Sequence, residues 1–151
     1  MSATGAIAVD KLARVDASRM ATIGSGTQVH SQLRYTARVR DLDEINVYSP
    51  TQYSRDSFAE ELDPEFEASV NAVSNSDVTV HDADILVTAT SSSKPVFNGR
   101  LLPDGAHVTA VGQTASAGRE LNADTIERSV YVPDLLEAIR EQKITENHIH
   151  A

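Results

Sequence analysis

Residues 20–30, MATIGSGTQVH, restrict the fold more than any other stretch. A β-prone run, Met20–Ile23, meets Gly24 and Gly26 with one residue between them. In Gln28–Val39 apolar or small residues then recur at Val29, Leu33 and Ala37, with Tyr35 beside them, which predicts a helix. Glu44–Ser49, EINVYS, alternates Ile45 and Val47 with a β-branched bias and stops at Pro50. Strand, glycine turn, helix and strand in that order form a unit whose two strands lie parallel.

The rest of the chain continues the alternation. Ile7–Leu12 reads as a short entering helix, and Ser54–Leu62 as an acidic helix with Pro64 just beyond its end. Phe66–Val73 is a third strand. Asp84–Thr90 and Ala106–Gly112 are continuous apolar runs of the kind expected of strands buried on both faces, the second following a PDG turn at Pro103–Gly105. Asn122–Arg128 reads as a short helix, Ser129–Val132 as a last strand, and Asp134–Gln142 as a helix with an Asp cap and Lys143 near its end. The expectation is one α/β domain over residues 1–151, Rossmann-like and doubly wound, with a mostly parallel sheet and helices on both faces.

Composition narrows the partners. The chain has 22 acidic against 13 basic residues, a net charge of −9, and its only lysines are Lys11, Lys94 and Lys143. Such a surface disfavours nucleic acid and anionic membranes, and its acid-rich, lysine-poor balance suits a high-salt interior, where screening relieves self-repulsion. Cysteine is absent, which excludes disulfides and thiol chemistry and fits a reducing compartment. No apolar run approaches 18 residues, and MSATGAIAVDKLARVD lacks the pattern of a signal peptide. A cytoplasmic, soluble protein is expected.

The glycine turn carries the clearest chemistry. In a dinucleotide site the first glycine makes the tight turn, the second admits the pyrophosphate to the backbone, and a third small residue lets helix and strand pack closely. Here Gly24 and Gly26 fill the first two places and Val29 the third, a substitution expected to loosen that packing. The residues expected at the phosphates are Gly24, Ser25, Gly26, Thr27 and Gln28, on a helix N-terminus whose free N–H groups favour an anion. At the end of the second strand an acid would select a ribose 2′-hydroxyl. The chain offers Ser49, Thr51 and Arg55 instead, which tolerates a 2′-phosphate, so NAD and NADP both remain open with NADP favoured. In VTATSSSKPVF, Thr88, Ala89, Thr90 and Ser91 lie at the carboxyl end of a buried strand, where they and Val111 would face a nicotinamide. His107 is expected to pack at the sheet rather than act as a base. His148 and His150 suggest no third metal ligand, and no metal site is expected.

These segments together resemble the ornithine cyclodeaminase/mu-crystallin family, which includes archaeal alanine dehydrogenases. The resemblance rests on TGAIA (Thr4–Ala8), IGSGTQ (Ile23–Gln28), INVYSPT (Ile45–Thr51), ADILVTATSSSKPVF (Ala83–Phe97), GAHVTAVGQ (Gly105–Gln113), RELNADTI (Arg119–Ile126) and HIHA (His148–Ala151). It implies NAD(P) binding and hydride transfer to or from an amino acid's α-carbon, followed by loss of ammonia. Family members carry a second domain, built from both chain ends, that supplies substrate-binding residues and a dimer interface. The chain resembles the nucleotide-binding part alone, with Ala3 where the family has Arg.

A second departure falls at the family pattern VG-x-D-x-x-G-K-x-E. Aligned on Val111-Gly112 and Arg119-Glu120, the Asp position is Thr114 and the Lys position Gly118. A threonine hydroxyl is no general base near neutral pH. Two functional readings follow: the NAD(P)-binding part of a family enzyme, not catalytic by itself, or a non-catalytic nucleotide-binding module or remnant like mu-crystallin. An amino acid would be a partner only if a further domain completes the pocket, and a homo-oligomer or a complementing fragment remains open.

Overall fold

The computed structural model describes residues 2–112 and 120–133. Five strands, β1 (Arg19–Ile23), β2 (Glu44–Tyr48), β3 (Ser69–Val73), β4 (Ile85–Thr88) and β5 (His107–Ala110), form one sheet in the order β3-β2-β1-β4-β5. Every neighbouring pair is parallel. The chain thus starts at the middle of the sheet, builds outward to β3, and returns across β1 to build the other half. That reversal between β1 and β4 is the point where α/β sheets open a crevice at their carboxyl ends.

Helices α1 (Ser2–Leu12), α2 (Thr27–Thr36) and α3 (Gln52–Leu62) cover one face. Their Val9, Val29, Leu33, Phe58 and Leu62 pack with Met20, Ile45, Val47, Ile85 and Val87 of the strands. On the other face Val80, at the end of α4 (Ser76–His81), joins Ala21, Ile23, Leu86, Phe97 and Leu102. Strand side chains alternate between the faces, so a strand in the middle of the sheet must be apolar on both. Residues 20–23 and 85–88 are all buried accordingly. The doubly wound α/β reading therefore holds.

The amino end of the sheet is tied by charge. Asp84 accepts from the backbone N–H of Ser18 at 3.1 Å and of Arg19 at 3.0 Å, and pairs with the Arg14 guanidinium. Partial burial pushes the Asp84 carboxyl up, but these donors outweigh it and hold the group below its ordinary value. Arg40, its side chain only 11% exposed, binds the end of α1 through Val9 O, Asp10 O and Ala13 O at 3.0, 3.1 and 3.2 Å.

Several local expectations change. Ser129–Val132 is no strand: Tyr131 stands in an isolated bridge, and Val130 and Val132 are 69% and 58% exposed, so the apolar side chains that would anchor a strand are not buried. β5 is not buried on both faces, because it pairs only with β4 among the described residues and its side chains are half-buried or exposed. Strand β3 begins at Ser69 rather than Phe66, after a tight helical turn at Asp63–Glu65 whose Asp63 carboxylate accepts from Val70 N at 2.9 Å. Helix α4 has no counterpart in the sequence reading. The expected helix Asp134–Gln142 lies outside the described residues.

Candidate functional site

The site is assembled from the chain that leaves the carboxyl ends of β1, β2, β4 and β5. Gly24 follows β1 with φ of +113°, a conformation side chains disfavour. Its N–H donates to Tyr48 O at 2.9 Å, and Ala89 N donates to Ile23 O at 3.0 Å, so the turn is pinned between β2 and the exit of β4. A Cβ on Gly24 would lie 2.5 Å from Ala89 O and 3.4 Å from Val29 Cγ2. Val29 does not loosen the packing as its sequence position suggested. It is fully buried in the core, and its methyl closes the space under the turn.

Gly26 differs from Gly24 in every respect. It caps α2 in ordinary extended geometry, φ −87° and ψ 177°, and a Cβ there would meet nothing within 4 Å. No side chain caps α2, and no acidic residue sits in its first turn. The positive end of the helix, with its unpaired N–H groups, thus faces open space beside Ser25, Thr27 and Gln28.

At the end of β2 the structure brings together Ser49, Thr51 and Arg55. Ser49 is buried, and its carbonyl accepts from Arg55 Nη1 at 3.1 Å. Thr51 caps α3 with its hydroxyl making no capping bond. No carboxylate occurs from Tyr48 to Arg55.

On the β4–β5 side Ala89, Thr90 and Val111 are half-buried along the edge, while Ser91 is exposed beyond it. Thr88 is placed differently from expectation. It is fully buried, and its hydroxyl donates to Glu120 Oε2 at 3.1 Å, leaving it no surface toward a ligand. The same Glu120 carboxylate accepts from Thr90 N at 2.5 Å and Gly112 N at 3.0 Å. Glu120 aligns with the closing acid of the family pattern, but its sequence position assigned it no role. Its signal was its place as the first acid after β5, eight residues past Gly112.

His107 opens β5 at the opposite, amino end of the sheet, with Nε2 3.1 Å from Thr109 Oγ1. Burial, with help from the positive Arg40, lowers its proton affinity below the usual imidazole value. It has no place at the site. Thr114 and Gly118, and the pair His148 and His150, lie outside the described residues. Among the described residues no cluster of His, Cys, Asp and Glu has the makings of a metal site, and no helix is long and apolar enough to cross a membrane.

Comparison with known proteins agrees with this geometry. The model of the ornithine cyclodeaminase/mu-crystallin family matches residues 1–147. Alanine dehydrogenase of Archaeoglobus fulgidus is 32% identical over 136 residues, covering 89% of this chain and 41% of the relative. An archaeal alanine dehydrogenase dimer with bound NAD superposes with TM-score 0.89 at 28% identity, over 99% of this chain and 49% of that one. The Δ1-pyrroline-2-carboxylate reductase of Thermococcus litoralis, solved with NADH and L-proline, gives TM-score 0.86 at 28% identity, over 99% and 50%. The chain therefore spans about half the length of such relatives or less. Its sequence across residues 1–147 and its parallel sheet of order β3-β2-β1-β4-β5 make it a member of the ornithine cyclodeaminase/mu-crystallin family.

Proposed function

We propose that the chain is the dinucleotide-binding part of a family amino-acid dehydrogenase or cyclodeaminase, and that it binds NAD or NADP without turning over an amino acid alone. The open space at Gly26 carries this reading. Neither φ nor packing requires a glycine there, and beyond its fitness as a helix cap the bare backbone leaves room for a close-approaching ligand. Gly24, Ser25, Gly26, Thr27 and Gln28 would hold the pyrophosphate at the start of α2, with Ser49, Thr51 and Arg55 at the adenosine ribose. Ala89, Thr90 and Val111 would lie toward the nicotinamide, with Thr88 acting only through Glu120. The nicotinamide, when bound, accepts or gives the hydride. The protein's own part is to orient it and keep it from water.

The missing acid favours the non-catalytic form of the reading. Thr114 aligns with the family's Asp and Gly118 with its Lys, so the sequence lacks at those positions the acid and the base that the family pattern carries. The absence of a carboxylate after β2 supports acceptance of NADP as well as NAD. Lack of cysteine supports a reducing, cytoplasmic setting.

Fluorescence titration with NADH and NADPH tests the proposal, followed by an assay with ornithine, alanine and proline. Binding of both nucleotides, with no turnover, is expected. A Gly26→Val side chain would occupy the pyrophosphate's space and should weaken binding at least about tenfold, with no more than the modest loss of stability expected from a poorer helix cap. Equal affinity in wild type and Gly26→Val sinks the phosphate-turn assignment, and turnover of an amino acid sinks the non-catalytic one.

A further inference from the structure

We propose that Glu120 is a positioning residue that sets the nicotinamide side of the cleft by joining the carboxyl ends of β4 and β5. The inference rests on the dinucleotide reading above. Glu120 is 4% exposed, and its carboxylate lies among three donors: Thr88 Oγ1 and Gly112 N on Oε2, and Thr90 N on Oε1. Thr88 ends β4, Thr90 is two residues past it, and Gly112 is two past the end of β5. One side chain thus fixes the two backbone segments that flank the nicotinamide half of the crevice. The Glu120 carbonyl adds a fourth tie, accepting from Val96 N at 3.0 Å and holding the loop that leaves β4.

Gly112 is explained by the same contact. A Cβ there would collide with the Glu120 carboxylate. The glycine after β5 is therefore the seat of an acid, unlike Gly26, whose space is open.

The two backbone donors also exclude the neutral isostere. Thr90 N and Gly112 N point to different oxygens of Glu120. A glutamine must turn its NH2 group toward one of them, leaving a buried N–H facing another donor. The phosphate turn, on the far side of β4 at the end of β1, makes no bond to Glu120 among those described. Its grip on the ADP-ribose half should survive.

The test is calorimetric titration of the whole chain with NADH and with ADP-ribose, which lacks the nicotinamide. Glu120→Gln should weaken NADH about tenfold while ADP-ribose changes less than twofold. Gly112→Ala, displacing the same carboxylate from its other side, should shift the ratio in the same direction. Thr88→Val removes one donor and keeps both backbone bonds, so it gives a smaller shift of that ratio and decides the matter if Glu120→Gln does not fold. Wild type that binds neither probe overturns the dinucleotide reading and this inference together. Wild type that binds both, with an NADH to ADP-ribose ratio unchanged in the variants, overturns the inference alone. Equal weakening of both probes also overturns it, making Glu120 a general support of the domain.

Discussion

Two glycines separated by one residue do different physical work. Gly24 is fixed by the protein: φ of +113° strains any side chain, and Ala89 O stands where a Cβ would go. Gly24→Ala should cost at least about 1–3 kcal/mol from the backbone alone, visible as a lower melting temperature with or without nucleotide. Gly26→Val puts a less favoured residue at the cap of α2 and should cost up to about 1 kcal/mol of stability, less than Gly24→Ala. If both substitutions lower stability alike, the two roles are not separable and the open space at Gly26 has no functional meaning. The spacing of glycines was legible in the sequence, but this division of labour was not. It depends on Ala89, which is 65 positions away from Gly24 in the chain and reaches it only through the pairing of β1 with β4. The role of Glu120 was hidden for the same reason, because all three of its donors come from other parts of the chain.

Elements were legible where burial is two-sided and obscure where a local device overrides propensity. β1, β2 and β4 announce themselves through uninterrupted or alternating apolar residues, and the core confirms each. Helix α4 does the opposite. Its SDVTVH has three β-branched residues in six, yet Asn75 caps it, accepting from Asp77 N at 2.8 Å and Val78 N at 3.3 Å, and Val80 anchors it in the core. The cap is worth about 0.5–2 kcal/mol, enough to outweigh a weak propensity. Helix α1 likewise depends on a distant partner, since the guanidinium of Arg40 satisfies carbonyls at its end. Arg40→Met keeps the apolar stem and removes those donors. Amide exchange should rise in α1 while β1, β2 and β4 stay protected, with about 1–3 kcal/mol lost from the stability of α1. Unchanged exchange across residues 2–12 refutes the clamp.

At the scale of the molecule, charge is the least balanced quantity. Thirteen cations cannot neutralise 22 carboxylates, and the pairs that do form are mostly at the surface. Arg34 with Glu65, at 2.7 Å, has side chains 41% and 40% exposed, and Arg100 with Asp124, at 3.1 Å, has 74% and 34%. Such pairs contribute little each, in the range of about 0–1 kcal/mol. The net charge of −9, by contrast, repels itself across the whole surface. Salt acts on both terms with opposite sign, weakening attraction within pairs and repulsion among the unpaired acids. Raising KCl from about 0.1 M to 1 M shortens the screening length from about 10 Å to 3 Å. Close partners near 3 Å still feel each other at that length, while carboxylates about 10 Å apart no longer do. The melting temperature should therefore climb with KCl at pH 7, most steeply below about 0.5 M. Thermal unfolding by circular dichroism across a KCl series measures this directly. A falling melting temperature would mean that the surface pairs outweigh the excess of acid, and that the lysine-poor composition brings no tolerance of salt.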